Sequence, residues 1–162
     1  MKKKHFLIGV AGFGLVVFLC LFALFAMTNL FGAAKEQVLL QACGNGQISS
    51  VKSLIDSGVS ADARDGWNTS CMFLAAGNGH TEIVAFLLAQ GIDIDERYRM
   101  DKTALIVASQ GGRMETVRFL ASKNANLNLK DTDGKSALDH AVDQKHEDVS
   151  AFLKNLIEGA DL

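Results

Sequence analysis

An all-α solenoid of four helix-turn-helix repeats, preceded by one apolar N-terminal helix, is the fold class this sequence predicts. Three observations carry it. Segments beginning at Gln37, Ser70, Thr103 and Ser136 align with one another at a spacing of 33 residues. Within them Leu39, Met72, Leu105 and Leu138 fall in one column, and Ala42, Ala75, Ala108 and Ala141 in another. Ahead of them Phe6 to Met27 are twenty-two residues without a charge.

The N-terminal run comes first in the chain. As a helix rising about 1.5 Å per residue it is roughly 33 Å long, enough to cross a hydrocarbon core of about 30 Å. Lys2, Lys3 and Lys4 precede it, and basic residues stay on the cytoplasmic side. The sequence therefore predicts a cytoplasmic basic segment at 1–5, a transmembrane signal anchor at 6–27, a linker at 28–35 and a domain at 36–162 outside the cytoplasm. In a bacterium that is a single-pass inner-membrane protein facing the periplasm. The alternative is a signal peptide cleaved near Ala34, where Gly32, Ala33 and Ala34 are small; its apolar region would ordinarily span only about 7–15 residues.

Each 33-residue unit holds two short helical patterns. In the second unit Met72, Ala75 and Ala76 give one i, i+3, i+4 stripe, and Ile83, Val84, Leu87 and Leu88 give another. Thr69 or Ser70, Thr103 and Ser136 are N-cap types placed to open the first helix. Between units lie turn-forming segments such as GIDIDERYRMD and NANLNLKDTDG. One pair this short cannot bury its apolar face alone, whereas four stacked pairs make a continuous core.

These columns resemble the ankyrin repeat: an alanine pair, glycine-histidine, a leucine-rich second helix, then glycine and aspartate. Ala75, Ala76, Gly79, His80, Leu87, Leu88, Gly91 and Asp93 occupy those places. The resemblance covers 36–157, with repeats at about 36–65, 66–98, 99–131 and 132–157. There are departures. The start-motif proline is replaced by Val38, Cys71, Ala104 and Ala137, and the motif histidine by Leu40, Phe73, Ile106 and Asp139, which leaves the family's hydrogen-bond network there open. The turn glycine becomes Lys145 in the last unit, which loses register after Leu153 as terminal capping repeats do.

The cysteines are expected to be free. Cys20 belongs to the apolar run. In the repeat frame Cys71 opens the first helix of one unit and Cys43 closes that of the unit before, offset by about 7.5 Å of rise on top of a helix separation of about 8–10 Å. A disulfide needs Cα atoms within about 7 Å, so mostly buried thiols are expected.

The sequence offers no catalytic constellation. In AAGNGH (75–80) and ACGNGQ (42–47) the third glycine of a dinucleotide fingerprint is missing, since Glu82 and Ser49 stand there. Gly46, Gly79 and Gly112 instead end the first helices, where a left-handed residue is wanted. His80 and His146 share one repeat position that the resemblance makes structural. His140, Asp143 and His146 do not converge on one helical face and read as solvated polar residues. Aspartates such as Asp93, Asp95, Asp131 and Asp133 sit where turns need them. No enzyme, metal or cofactor is expected.

What remains is surface. The resemblance implies partner binding on the concave face and turn tips, here Arg64, Trp67, Thr69, Gly77 and Asn78, then Arg97, Tyr98, Arg99, Met100, Lys102 and Gln110, then Lys130 and Lys135. Tyr98 stands where the family usually has aspartate. The only Trp and only Tyr of the chain lie in adjacent turns, expected to be exposed, and Trp, Tyr and Arg are the types enriched at interface hot spots. Removing the three N-terminal lysines from 16 basic against 18 acidic residues leaves 35–162 at −5. Nucleic acid is therefore not an expected partner, and a basic tip on an acidic, monomeric domain fits an acidic groove on a protein. The resemblance to small exported bacterial ankyrins implies either immunity against a secreted effector or an accessory role beside a periplasmic catalase. The alternative from another class is a membrane-complex subunit or assembly factor that uses the anchor helix.

Overall fold

The structure, a computed structural model, describes residues 32–159. The anchor expected at 6–27 lies outside the described residues; among these no helix is long and apolar enough to cross a membrane. The repeat unit occupies Glu36–Leu162.

Among the described residues eight α-helices follow one another: α1 (32–44), α2 (Ile48–Asp56), α3 (Cys71–Asn78), α4 (Thr81–Ala89), α5 (Ala104–Gln110), α6 (Met114–Ser122), α7 (Ala137–Asp143) and α8 (Glu147–Gly159). Odd-numbered helices α3, α5 and α7 stack on one another, and even-numbered α2, α4, α6 and α8 form the second layer. Among the described residues no strand forms, only one antiparallel bridge between Arg64 and Ser70.

The period of 33 fixes the packing. Leu39, Met72 and Leu105, then Ala42, Ala75, Ala108 and Ala141, are all buried between the helices. Val51, Val84 and Val117 and Leu87, Leu120 and Leu153 fill the second layer in the same rhythm. Burying one such aliphatic side chain contributes about 1.5–3 kcal/mol. Leu138, in the same column as Leu105, is only half-buried, since among the described residues no further helix pair stacks on α7 and α8.

Start and stop signals repeat as well. Ser70 and Thr103 accept the backbone N–H of Phe73 and Ile106. Ser136 accepts from Asp139 while Asp139 accepts from the Ser136 backbone N–H, a reciprocal box. Asp139 stands in the column of the missing motif histidine and supplies a polar partner there; Phe73 and Ile106 do not. Gly46, Gly79 and Gly112 close the first helices at φ of 73°, 85° and 64°. Gly58, Gly91 and Asn124 do the same after α2, α4 and α6 at 93°, 89° and 63°. Ile157 occupies that column in the last repeat, and a β-branched residue resists the left-handed region. The chain stays helical there, and α8 runs 13 residues where α4 and α6 run 9.

The expectation of free thiols is overturned: Cys43 and Cys71 form a disulfide, with Cα atoms 5.3 Å apart. Both residues are fully buried. The separation of 8–10 Å applies to helices with ordinary side chains between them. Here Ala42, Cys43, Cys71 and Ala75 are all buried in the core, and such short side chains let the backbones approach.

Candidate protein-interaction surface

Two of the turn tips are built around an aspartate. Asp65 Oδ1 accepts the backbone N–H of Trp67 at 2.9 Å and of Thr69 at 2.8 Å. Asp131 Oδ1 accepts those of Asp133 and Lys135, each at 3.0 Å. Burial opposes the Asp65 charge, but these bonds and nearby Arg99 outweigh it and hold the carboxyl below its ordinary range. Asp131 is likewise held low: burial works against it, and the bonds from His140, Lys135 and Asp133 prevail.

His140 is not the solvated residue expected from sequence. It is buried, and its Nε2 donates to Asp131 Oδ2 at 2.7 Å. Position 140 lies in the column of Leu74 and Val107, so the helical face points at the turn. Spacing along α7 alone could not reveal that its partner lies nine residues upstream, in the tip. His80 and His146 do carry the structural role expected: each donates from Nε2 to a carbonyl of the preceding repeat, Gly44 at 3.0 Å and Gln110 at 3.1 Å. Carbonyl oxygens only accept, so Nε2 bears the proton in both. Arg113 does the same to Gly77 O at 3.0 Å.

Tyr98 takes the aspartate's place in the middle tip, and it is buried at 2% exposure, against the expectation of an exposed anchor. Its ring meets Phe73 edge-on, with centroids 6.2 Å apart. The Arg64 guanidinium lies 5.3 Å from its centroid. Burial first, then the Glu96 charge, push its phenol well above the ordinary range. A tyrosine cannot accept the two tip N–H groups as Asp65 and Asp131 do; Asp101 N–H bonds Tyr98 O as Asn68 and Gly134 N–H bond Asp65 O and Asp131 O, and the bond particular to this turn is Lys102 N–H to Arg99 O. Met100 and Asp101 consequently sit at φ of 58° and 54°. Asp101 shares its column with left-handed Asn68 and Gly134; Met100 is the addition.

The remaining expected surface residues divide into four groups. Thr69 and Lys102 are buried rather than exposed, and Lys102 Nζ is held by Gln110 Oε1 at 2.8 Å. Lys135 repeats that clamp on Asp143 at 2.6 Å. Arg64 and Arg97 tie tips together: Arg64 binds Asp62, Asn68 and Glu96, and Arg97 Nη1 donates to Asp101 O and Lys130 O. Gly77 and Asn78 lie in the hollow between first helices, where Asn78 Nδ2 donates to Gly44 O at 3.1 Å. Trp67, Arg99, Met100 and Lys130 are left facing solvent. Trp67 is 73% exposed and Met100 45%, and the Arg99 guanidinium stands 5.6 Å from the Trp67 ring centroid. Sequence columns could not sort these cations, because which carboxylate or carbonyl each one meets depends on how the tips stack.

Among the described residues no group of three or more His, Cys, Asp or Glu side chains could hold a metal ion. A family model described as ankyrin repeats, in three copies, matches residues 11–98, 39–131 and 94–162. Among curated proteins no match is found. The helix pairs, the left-handed stops and the repeat-to-repeat histidine bonds are what that family match leads one to look for. The chain belongs to the ankyrin repeat family.

Proposed function

We propose that this protein is a non-enzymatic, membrane-anchored module that binds a partner protein through its concave face and turn tips on the periplasmic side. Ankyrin repeats suggest protein–protein interaction, and the observation that carries the binding surface is Trp67: an indole 73% exposed on a turn tip that nothing in the repeat covers. Aromatic anchors beside arginine are what interface hot spots are made of. The location rests on the uncharged run 6–27 behind three lysines, and it is supported by the Cys43–Cys71 disulfide, since such bonds persist in oxidising compartments.

The test of the face is a pull-down from the native host with the full chain against Trp67→Ala plus Arg99→Ala. Loss of the partner is expected; full retention overturns the surface. A periplasm-dependent reporter fused after Leu162 is expected to be active, and silence there overturns the topology. Neighbouring genes separate the two partner classes the family resemblance implies, a secreted effector or a periplasmic catalase. The second reading, a membrane-complex subunit, is favoured by the length of the apolar run; it gains if 35–162 alone binds nothing that the full chain binds.

A further inference from the structure

We infer that the Trp67–Arg99 pair is a carboxylate-recognition element, and that the partner presents it with one acidic side chain followed by an aliphatic side chain seated in the adjoining hollow between α3 and α5. This rests on the concave-face reading above and deepens it.

Among the described tip cations only Arg99 combines three properties. Its guanidinium makes no hydrogen bond or ion pair with the described residues, whereas Arg64, Arg97, Lys102 and Lys135 are each committed to a carboxylate, an amide or a backbone carbonyl. It is exposed, and it stands over an indole at 5.6 Å, within the range at which a guanidinium is attracted to the ring face. A guanidinium with its face against a ring keeps its planar N–H edge outward, and that edge matches a carboxylate in a bidentate fashion. Lys130 is also unengaged but has no aromatic neighbour to fix it. Arg99 acts on Asp65 through charge alone, with no hydrogen bond or ion pair between them, and Asp65 Oδ1 is taken by the Trp67 and Thr69 N–H groups.

The second half of the site adjoins this tip. Asp65, Thr69, Leu74 and Asn78 line one hollow and Phe73, Leu74, Gly77, Asn78, Val107 and Gln110 line the next, so Leu74 and Asn78 join them. Its floor of Phe73, Leu74 and Val107 is apolar, its rim of Asn78 and Gln110 is uncharged, and Gly77 leaves the centre open. A charged residue finds no charged side chain among those lining the inner hollow, whereas an aliphatic one needs none and packs on Phe73, Leu74 and Val107. The acid therefore belongs at the tip and the aliphatic residue inside.

The chain's only tryptophan sits in this site, so its fluorescence reports occupancy directly. The purified full chain is used to select from a displayed library of random twelve-residue peptides, and enriched sequences are synthesised with their acid intact or replaced by its amide. Expected are peptides carrying Asp or Glu within three residues of Leu, Ile or Val. They should shift Trp67 emission and lose at least tenfold in affinity either on Arg99→Gln or on replacement of the acid, with no further loss when both are changed. Enriched peptides that lack an acid, or whose acid and Arg99 act independently, overturn the carboxylate element. If those peptides are still abolished by Gly77→Arg, the concave-face reading survives that failure. Peptides indifferent to both variants, or no enrichment at all, count against both.

Discussion

Substituting Gly112 by alanine tests whether the glycines of the repeat serve only to end helices or also to seat the next repeat. Gly112 sits at φ +64°, and a Cβ built there lies 2.6 Å from Cε1 and Nδ1 of His146 in the following repeat. Two costs add. Holding a non-glycine residue left-handed costs about 1–2 kcal/mol. The His146 ring can swing aside, but it then gives up its bond to Gln110 O, and a net hydrogen bond is worth about 0.5–1.5 kcal/mol. Together they make about 2–3 kcal/mol, which for a domain of this size is a fall in Tm of roughly 7–11 °C. Gly134→Ala is the control: φ is +74° but nothing lies within 4 Å, so only the backbone cost applies. Urea unfolding followed by far-UV circular dichroism gives the stabilities, in the wild type and in a His146→Ala background. The reasoning fails if Gly112→Ala and Gly134→Ala cost the same, or if removing the His146 ring leaves the Gly112→Ala cost undiminished.

Two further outcomes follow from the same geometry. Replacing Cys43 and Cys71 together by alanine, the residue their own columns carry as Ala76 and Ala104, should lose about 3.5 kcal/mol by releasing a loop of 28 residues' separation, read as a lowered urea midpoint and a band insensitive to reductant on gels. Because the folded-state pKa of Asp131 is depressed, its contribution is present above the unfolded value of about 3.9 and is lost as pH falls through the lower folded value. Asp131→Asn should therefore be less stable at neutral pH, by about 1–3 kcal/mol for the bonds weakened, and should show a shallower acid limb below about pH 4; an unchanged limb would remove Asp131 from the linkage.

The fold was legible because its cause is periodic. Each apolar column from Leu39 to Leu105 and each stop from Gly46 to Gly112 depends on one residue type at one interval, and stacking repeats the same environment. What was not legible depends on distances between repeats. Cys43 and Cys71 look too far apart when helices are drawn at an average separation, an average that does not hold where short buried side chains such as Ala42 and Ala75 flank the pair. Tyr98 looks like an exposed anchor because its column is a turn position; the space beside Phe73 and beneath Arg64 that receives its ring is not written in any column. His140 was misplaced for a related reason, its partner being in a turn rather than on its helix.

The same contrast separates structure from recognition within the tips. Where the repeat keeps aspartate, at 65 and 131, one carboxylate accepts two backbone N–H groups and the turn is closed from inside. Where Tyr98 replaces it, the ring goes down into the core and its acceptor role disappears, so the turn tightens and Met100 enters the left-handed region. A non-glycine residue held there costs about 1–2 kcal/mol, offset by the buried aromatic contacts beneath it. In this tip Arg99 stands over Trp67 of the preceding repeat, and its guanidinium has no hydrogen-bond partner among the described residues. The residue that departs from the repeat is thus buried, while the residues it repositions are the ones a partner can reach. Interaction residues in such a chain should therefore be sought beside a broken column rather than in it.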